Sequence, residues 1–152
     1  MFHPIITQVY SVDNLSLITV SGVSASSKAI GVLLGALAEE GVSIDMLNMS
    51  PPIGDKINVS FTVMDDDLAN TLGTLGKLQN EHGALQSHVN TGNSKILLRG
   101  EKMHQNRGVG AAAFRCLGEE GIEVKMITSS DVDITLLVNL KDAQRAVELL
   151  LK

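Results

Sequence analysis

One cysteine, no tryptophan and four other aromatic residues exclude several classes of protein from this 152-residue chain before any motif is sought. The lone Cys116 cannot form an intrachain disulfide, and its place on an apolar helix face reads as core packing, with catalysis the lesser reading. Phe2, Tyr10, Phe61 and Phe114 are too few and too scattered for a base-stacking platform. Basic excess is missing too: a net charge of -5 gives no footprint for nucleic acid or for an anionic membrane surface. No apolar run approaches the roughly 18 residues of a membrane span, and the N-terminus has no signal-peptide core, so a cytoplasmic location is expected. Phosphate-loop and dinucleotide glycine motifs are absent, as is any Cys/His cluster at metal spacing; neither cofactor nor metal is expected.

What the chain does have is one passage written twice. Residues 36–50 return 80 positions later as residues 116–130, with Leu37, Glu39, Glu40, Gly41, Met46 and Ser50 recurring as Leu117, Glu119, Glu120, Gly121, Met126 and Ser130. That period exceeds the roughly 20–50 residues of solenoid units, so each copy reads as a small domain. A half-chain of this size is close to the lower limit for a self-sufficient core, and the halves are expected to pack or dimerise.

Hydrophobic spacing gives the order of elements. In the first copy residues 17–22 read as a strand, Ser24, Ser26 and Ser27 as hydroxyl caps, and Ile30, Leu33, Leu34 and Leu37 as one helix face. Gly41 reads as the helix stop, residues 42–47 as a strand, residues 51–55 as a turn, and Ile57, Val59, Phe61 and Val63 as a half-buried strand. Asp65, Asp66 and Asp67 then cap a helix with Leu68, Leu72 and Leu75 inward, and residues 84–89 close the copy as a strand. The order is βαββαβ. The second copy has a strand at 95–99, a polar loop at 101–107, a helix with Val109, Ala113, Cys116 and Leu117 inward, strands at 123–128 and 132–138, and a last helix at 142–151. This copy lacks its final strand, while residues 5–12 form a strand without a partner in the first. An uncompleted sheet would leave backbone groups and core exposed, so residues 5–12 are expected to complete the second sheet. The expected domains are 14–92, and 5–12 together with 93–152.

Chemistry is sparse. His3, His82, His88 and His104 are dispersed and read as surface or structural residues. Asp65 to Asp67 looks only superficially like a magnesium cluster, since a helix start favours acid in any case. Lys102 and Arg107 can hold a carboxylate or phosphate, or simply solvate a loop. Each copy runs from its first strand through a loop, 23–28 or 101–108, into a helix N-terminus, whose free N–H groups attract anionic groups such as an amino-acid carboxylate.

The sequence resembles a known family. Residues 35–47 with 57–63 look like the first ACT domain of an aspartokinase; residues 99–117, 126–138 and 141–147 resemble that family's second ACT domain. The resemblance covers nearly the whole chain. It implies an α+β fold of two ferredoxin-like βαββαβ units, the second completed by an N-terminal strand. It further implies the allosteric region or small subunit of aspartate kinase, in lysine, threonine and methionine biosynthesis. The kinase domain that precedes this region in the family is absent here, so the chain is expected to be non-catalytic by itself, as a separate small subunit or a truncated form.

Carried over by position, the family's effector contacts fall on Ser24, Ala25, Ser26, Ser27, Lys28, Ala29 and Ile30, on Asn48 and Met49, and on Gly110, Glu123 and Val124. The family's loop motif D-x-P-G is not kept: its acid falls on Ala25, its glycine on Lys28, and its second-strand glutamine on Met49. Asn106 and Arg107 stand where the family has His-Pro. The partners implied are a second copy of the chain, paired through its ACT domains, the kinase catalytic domain or subunit, and a small amino-acid effector (lysine, threonine or diaminopimelate). Nucleic acid and membrane are not among them. The rival reading is an ACT dimerisation scaffold that binds nothing, and a weaker one is a stand-alone enzyme using His104.

Overall fold

The computed structural model describes residues 3–152, in the order β1 (Gln8–Ser24), α1 (Ser27–Glu39), β2 (Leu47–Met49), β3 (Lys56–Met64), α2 (Leu68–Glu81), β4 (Gln86–Arg99), α3 (Val109–Glu119), β5 (Met126–Ser129), β6 (Asp133–Asn139) and α4 (Ala143–Leu151). The chain divides into two compact units, one of Leu15–Thr91 and one that joins the segment ending at Asn14 to Gly92–Lys152. Each is a ferredoxin-like antiparallel sheet with two helices, ordered β2-β3-β1-β4 in the first unit and β5-β6-β4-β1 in the second. β1 and β4 contribute residues to both units. Asn14 in β1 (φ +63°) and Gly92 in β4 (φ +73°) lie at the points of passage. The strands expected at 5–12 and 17–22 are therefore parts of one strand, which begins only at Gln8, and those expected at 84–89 and 95–99 are parts of another, which begins at Gln86.

The repeated block explains itself as a helix stop. After α1, Gly41 takes φ +76° and donates to Ala38 O (3.0 Å), while the Val42 N–H returns to Leu37 O (3.0 Å). After α3, Gly121 at φ +71° donates to Gly118 O (3.1 Å) and Ile122 to Leu117 O (3.0 Å). Both are Schellman motifs, which satisfy the last carbonyls of a helix and need a residue that tolerates a left-handed backbone. Leu37 with Val42, and Leu117 with Ile122, are buried in the core of their own unit, which supplies the apolar contact that accompanies the motif.

That stop also displaces the strands that follow. Residues 42–47 and 123–128 were expected to be strands, but β2 begins at Leu47 and β5 at Met126. Val42 and Ile122 are committed to closing the helix, and pairing starts only with Asp45 N–H on Thr62 O (2.9 Å) and Lys125 N–H on Leu137 O (2.8 Å).

Two further expectations change. Asp65–Asp67 forms a 3-10 turn ahead of α2 and gives it no side-chain cap; instead Asp65 accepts from Ser16 Oγ (2.7 Å) and the Asp67 carbonyl from Thr71 Oγ1 (2.7 Å). Leu72 is 38% exposed, because a period of 3.6 from Leu68 places Thr71, Leu75 and Leu78 inward instead. The first core gathers Ile18, Val20, Leu33, Leu37, Phe61 and Leu75; the second gathers Ile96, Leu98, Ala113, Leu117, Leu136 and Leu150.

The segment before β1 and the first part of β1 belong to that second unit. Ile6 is buried in its core, Thr7 N–H donates to Arg99 O (2.8 Å), and Ser94 Oγ donates to Val12 O (3.1 Å) and Asp13 Oδ1 (2.7 Å).

Candidate functional site

Near its end β1 bulges between Val20 and Val23, and Gly22 within the bulge has φ +75°. A Cβ at Gly22 would overlap the Ala84 carbonyl oxygen, so only glycine lets the strand end lie this close to the segment after α2. The approach closes one side of a cavity of about 480 Å³ inside the first unit. The first turn of α1, Lys56 at the start of β3 and His82 at the end of α2 also line it. Val32, Leu33, Leu78 and Leu85 supply apolar lining.

The approach to α1 is held by short-range hydrogen bonds. Ser26 is the N-cap: its Oγ accepts from Ala29 N–H (3.1 Å) and its carbonyl from Ile30 N–H (3.1 Å). Ser24 Oγ accepts from Ser26 N–H (3.5 Å), and Ala25 N–H donates to Asp55 O (2.8 Å), which ties the loop to the turn before β3. The cap uses only part of the helix end. The N–H groups of Ser27 and Lys28 belong to the first turn, where a helix has no internal acceptor to offer.

The structure brings Ser24, Ser26, Lys28 and Ala29 together on this cavity. Ala25 and Ile30 are partly buried against the first core, and Ser27 is exposed at the start of α1. Asn48 and Met49 lie apart from the cavity, exposed on β2, opposite Ser60 and Val59. Lys56, His82 and the 83–85 segment were not anticipated. One signal for them was present: an isolated glycine in a strand pattern, Gly22, marks a close backbone approach.

In the second unit the corresponding strand end meets the N-terminal segment. A Cβ on Gly100 would overlap the Ile5 carbonyl oxygen, and beside it is a cavity of about 520 Å³ lined by Arg99, Glu101 and Lys102 with Pro4, Ile5, Thr7 and Gln8. Its charge is mixed, and Arg107 is exposed elsewhere on the loop. Gly110 stands in the first turn of α3, 3.8 Å from Ile134 Cδ1 by its added Cβ; Glu123 is exposed, and Val124 packs on the second core. Next to them Lys125 donates to Asn93 Oδ1 (2.6 Å); burial, and then the Lys141 charge, hold its ammonium below the ordinary lysine range. Among the described residues no group of three His, Cys, Asp or Glu side chains is placed to hold a metal, and no helix is long and apolar enough to cross a membrane.

Comparison with known proteins adds a family. A model of the ACT domain matches residues 96–152. The aspartokinase of Geobacillus stearothermophilus is 30% identical over 146 residues, 96% of this chain but 35% of the relative. The chain thus spans about a third of the length of the curated relatives it matches. A crystal structure of aspartokinase alpha and beta subunits matches at 30% identity with a TM-score of 0.85, over 95% of each chain. The regulatory subunit of aspartate kinase from Thermus thermophilus, in its ligand-free form, gives a TM-score of 0.86 over 95% of each chain; at 23% identity this is a likeness of fold.

Proposed function

This chain belongs to the aspartokinase family, as its regulatory region of ACT domains, and we propose that it is an amino-acid-sensing module that controls aspartate phosphorylation by a kinase catalytic domain or subunit. The observation that carries the sensing role is the cavity at the start of α1, which combines an apolar lining with the polar groups of Ser24, Ser26 and Lys28. Effector contacts are proposed on Ser24 to Ile30 and on Asn48 and Met49, with Gly110, Glu123 and Val124 supplied by a partner chain. Ligand binding would shift an equilibrium between two arrangements of paired units, with a coupling of about 1–3 kcal/mol passed to the kinase.

A homodimer is part of the proposal. Support comes from β2, a three-residue edge strand with Leu47 and Met49 exposed, followed by Ile53 at 90% exposure. Unpaired edges and exposed apolar side chains of this kind suit pairing with another chain.

Calorimetry with lysine, threonine, methionine and diaminopimelate tests the reading on protein whose oligomeric state has been measured. Heat from one of them, with a changed kinase rate once the catalytic partner is present, is the expected result. Silence from all four on a dimer would shift the reading to an assembly scaffold.

A further inference from the structure

The geometry points to a small organic anion, a dicarboxylate or a phosphomonoester with a short apolar body, as the ligand of the first-unit cavity, in preference to a cationic amino acid. The inference rests on reading this unit as a sensor and changes the class of ligand sensed in this cavity from an amino acid to an organic anion.

Charge is the first argument. The chain carries 17 acidic residues against 12 lysines and arginines, yet no Asp or Glu lines this cavity, while Lys28, Lys56 and His82 do. Asp55 and Glu81, the sequence neighbours of Lys56 and His82, are not among the lining residues. Neither lysine ammonium has a carboxylate partner among the described residues, so both charges are available to a ligand. An acid-rich chain that excludes acid from one cavity and lines it with lysines has a field there of the sign that attracts anions and repels ammonium groups.

Placement is the second argument. The two lysines come from different elements, Lys28 from α1 and Lys56 from β3, and His82 comes from the end of α2. Charged or polar residues from three elements therefore line one space, together with the apolar Val32, Leu33, Leu78 and Leu85. A volume of about 480 Å³ accommodates a molecule larger than a lone inorganic ion. The free first-turn N–H groups of α1 favour the same sign of ligand. The second-unit cavity is the internal contrast, because Glu101 stands there between Arg99 and Lys102.

The test is titration of the full chain with glutarate and phenyl phosphate as anionic probes and with lysine and cadaverine as cationic ones, read by calorimetry and by amide NMR shifts at Gly83, Ala84 and Lys28. The expected result is binding of at least one anion, with shifts at those amides, and an affinity that falls with added salt. Lys28→Glu and Lys56→Glu should each weaken it about tenfold at low salt, and Lys28→Arg should retain it. Whichever of glutarate and phenyl phosphate binds more tightly identifies carboxylate or phosphate as the preferred group. Lysine binding at these amides while both anions stay silent overturns the anion inference and leaves the sensor reading intact. Anion binding that both glutamate variants leave unchanged removes it from this cavity. Silence from every probe overturns the inference, and silence from the four amino acids as well takes the sensor reading with it.

Discussion

A methyl group added to Gly41 or Gly121 meets no neighbouring atom within 4 Å, so alanine there tests backbone conformation alone. Both residues hold a left-handed φ that closes a Schellman motif, and each alanine is expected to cost about 1 kcal/mol in urea unfolding. Gly22→Ala combines that conformational cost with a collision against the Ala84 carbonyl, so it should cost more than Gly41→Ala; equal costs would mean the 83–85 segment yields freely. Cys116 tests the electrostatics of the same repeat. Burial first, then the charges of Glu119 and Glu120, hold its thiol above its ordinary value, with Lys152 opposing. Because the folded value is raised, the associated stability is present below the unfolded thiol's pKa and is lost as pH rises through the folded one. Alkylation of Cys116 by iodoacetamide at pH 8 should be slower in the folded protein than in urea, and Cys116→Ala should flatten the alkaline fall in stability. The helix-stop role of Gly41 was legible in the sequence because its signal is local. Gly22 was not recognised, since the residue it must avoid is 62 positions away.

At the scale of elements, periodicity located the helices well and the strand ends poorly. The faces of α1 and α3 follow from spacing of 3.6, but the three leucines assigned to α2 included one on the wrong side. Thr71 is polar, yet it is buried with its hydroxyl donating to the Asp67 carbonyl, a bond that sequence spacing alone does not announce. Leu75→Ala should therefore cost about 2–5 kcal/mol and Leu72→Ala less than about 1 kcal/mol in the same unfolding assay. Similar losses would put Leu72 in the core after all. The cap of α1 is a second test: Ser26→Ala removes the acceptor for Ala29 N–H and should cost about 1 kcal/mol, while Ser27→Ala, one position into the helix, should cost little. The candidate site was half legible for a related reason. Ser24, Ser26, Lys28 and Ala29 belong to one continuous loop and helix start, whereas Lys56 and His82 reach the cavity only through the packing of β3 and α2.

At the scale of the whole molecule, the missing strand of the second repeat is the feature with the largest consequence. The second core includes Ile6, and the backbone of Arg99 and the hydroxyl of Ser94 find partners at Thr7, Val12 and Asp13. A fragment of residues 92–152 loses all of these together and leaves β4 with an unpaired edge beside Ile96 and Leu98. A fragment of residues 15–91 keeps the entire first core, with α1, α2 and the β1–β3 ladder that joins Leu15 to Met64 and Val20 to Val59. The expected NMR outcome is asymmetric: dispersed amide signals from 15–91, collapsed ones from 92–152, and recovery of dispersion when a peptide of residues 3–14 is added to the latter. Gly100→Ala in the full chain should reproduce part of the defect, because its Cβ competes with the Ile5 carbonyl for the same space. Faster amide exchange at Leu97 and Ile134, with no change at Ile18 and Phe61, is the expected signature. A 92–152 fragment that folded without the peptide would show that the N-terminal strand only decorates the second unit, and the incomplete repeat would then need a different explanation.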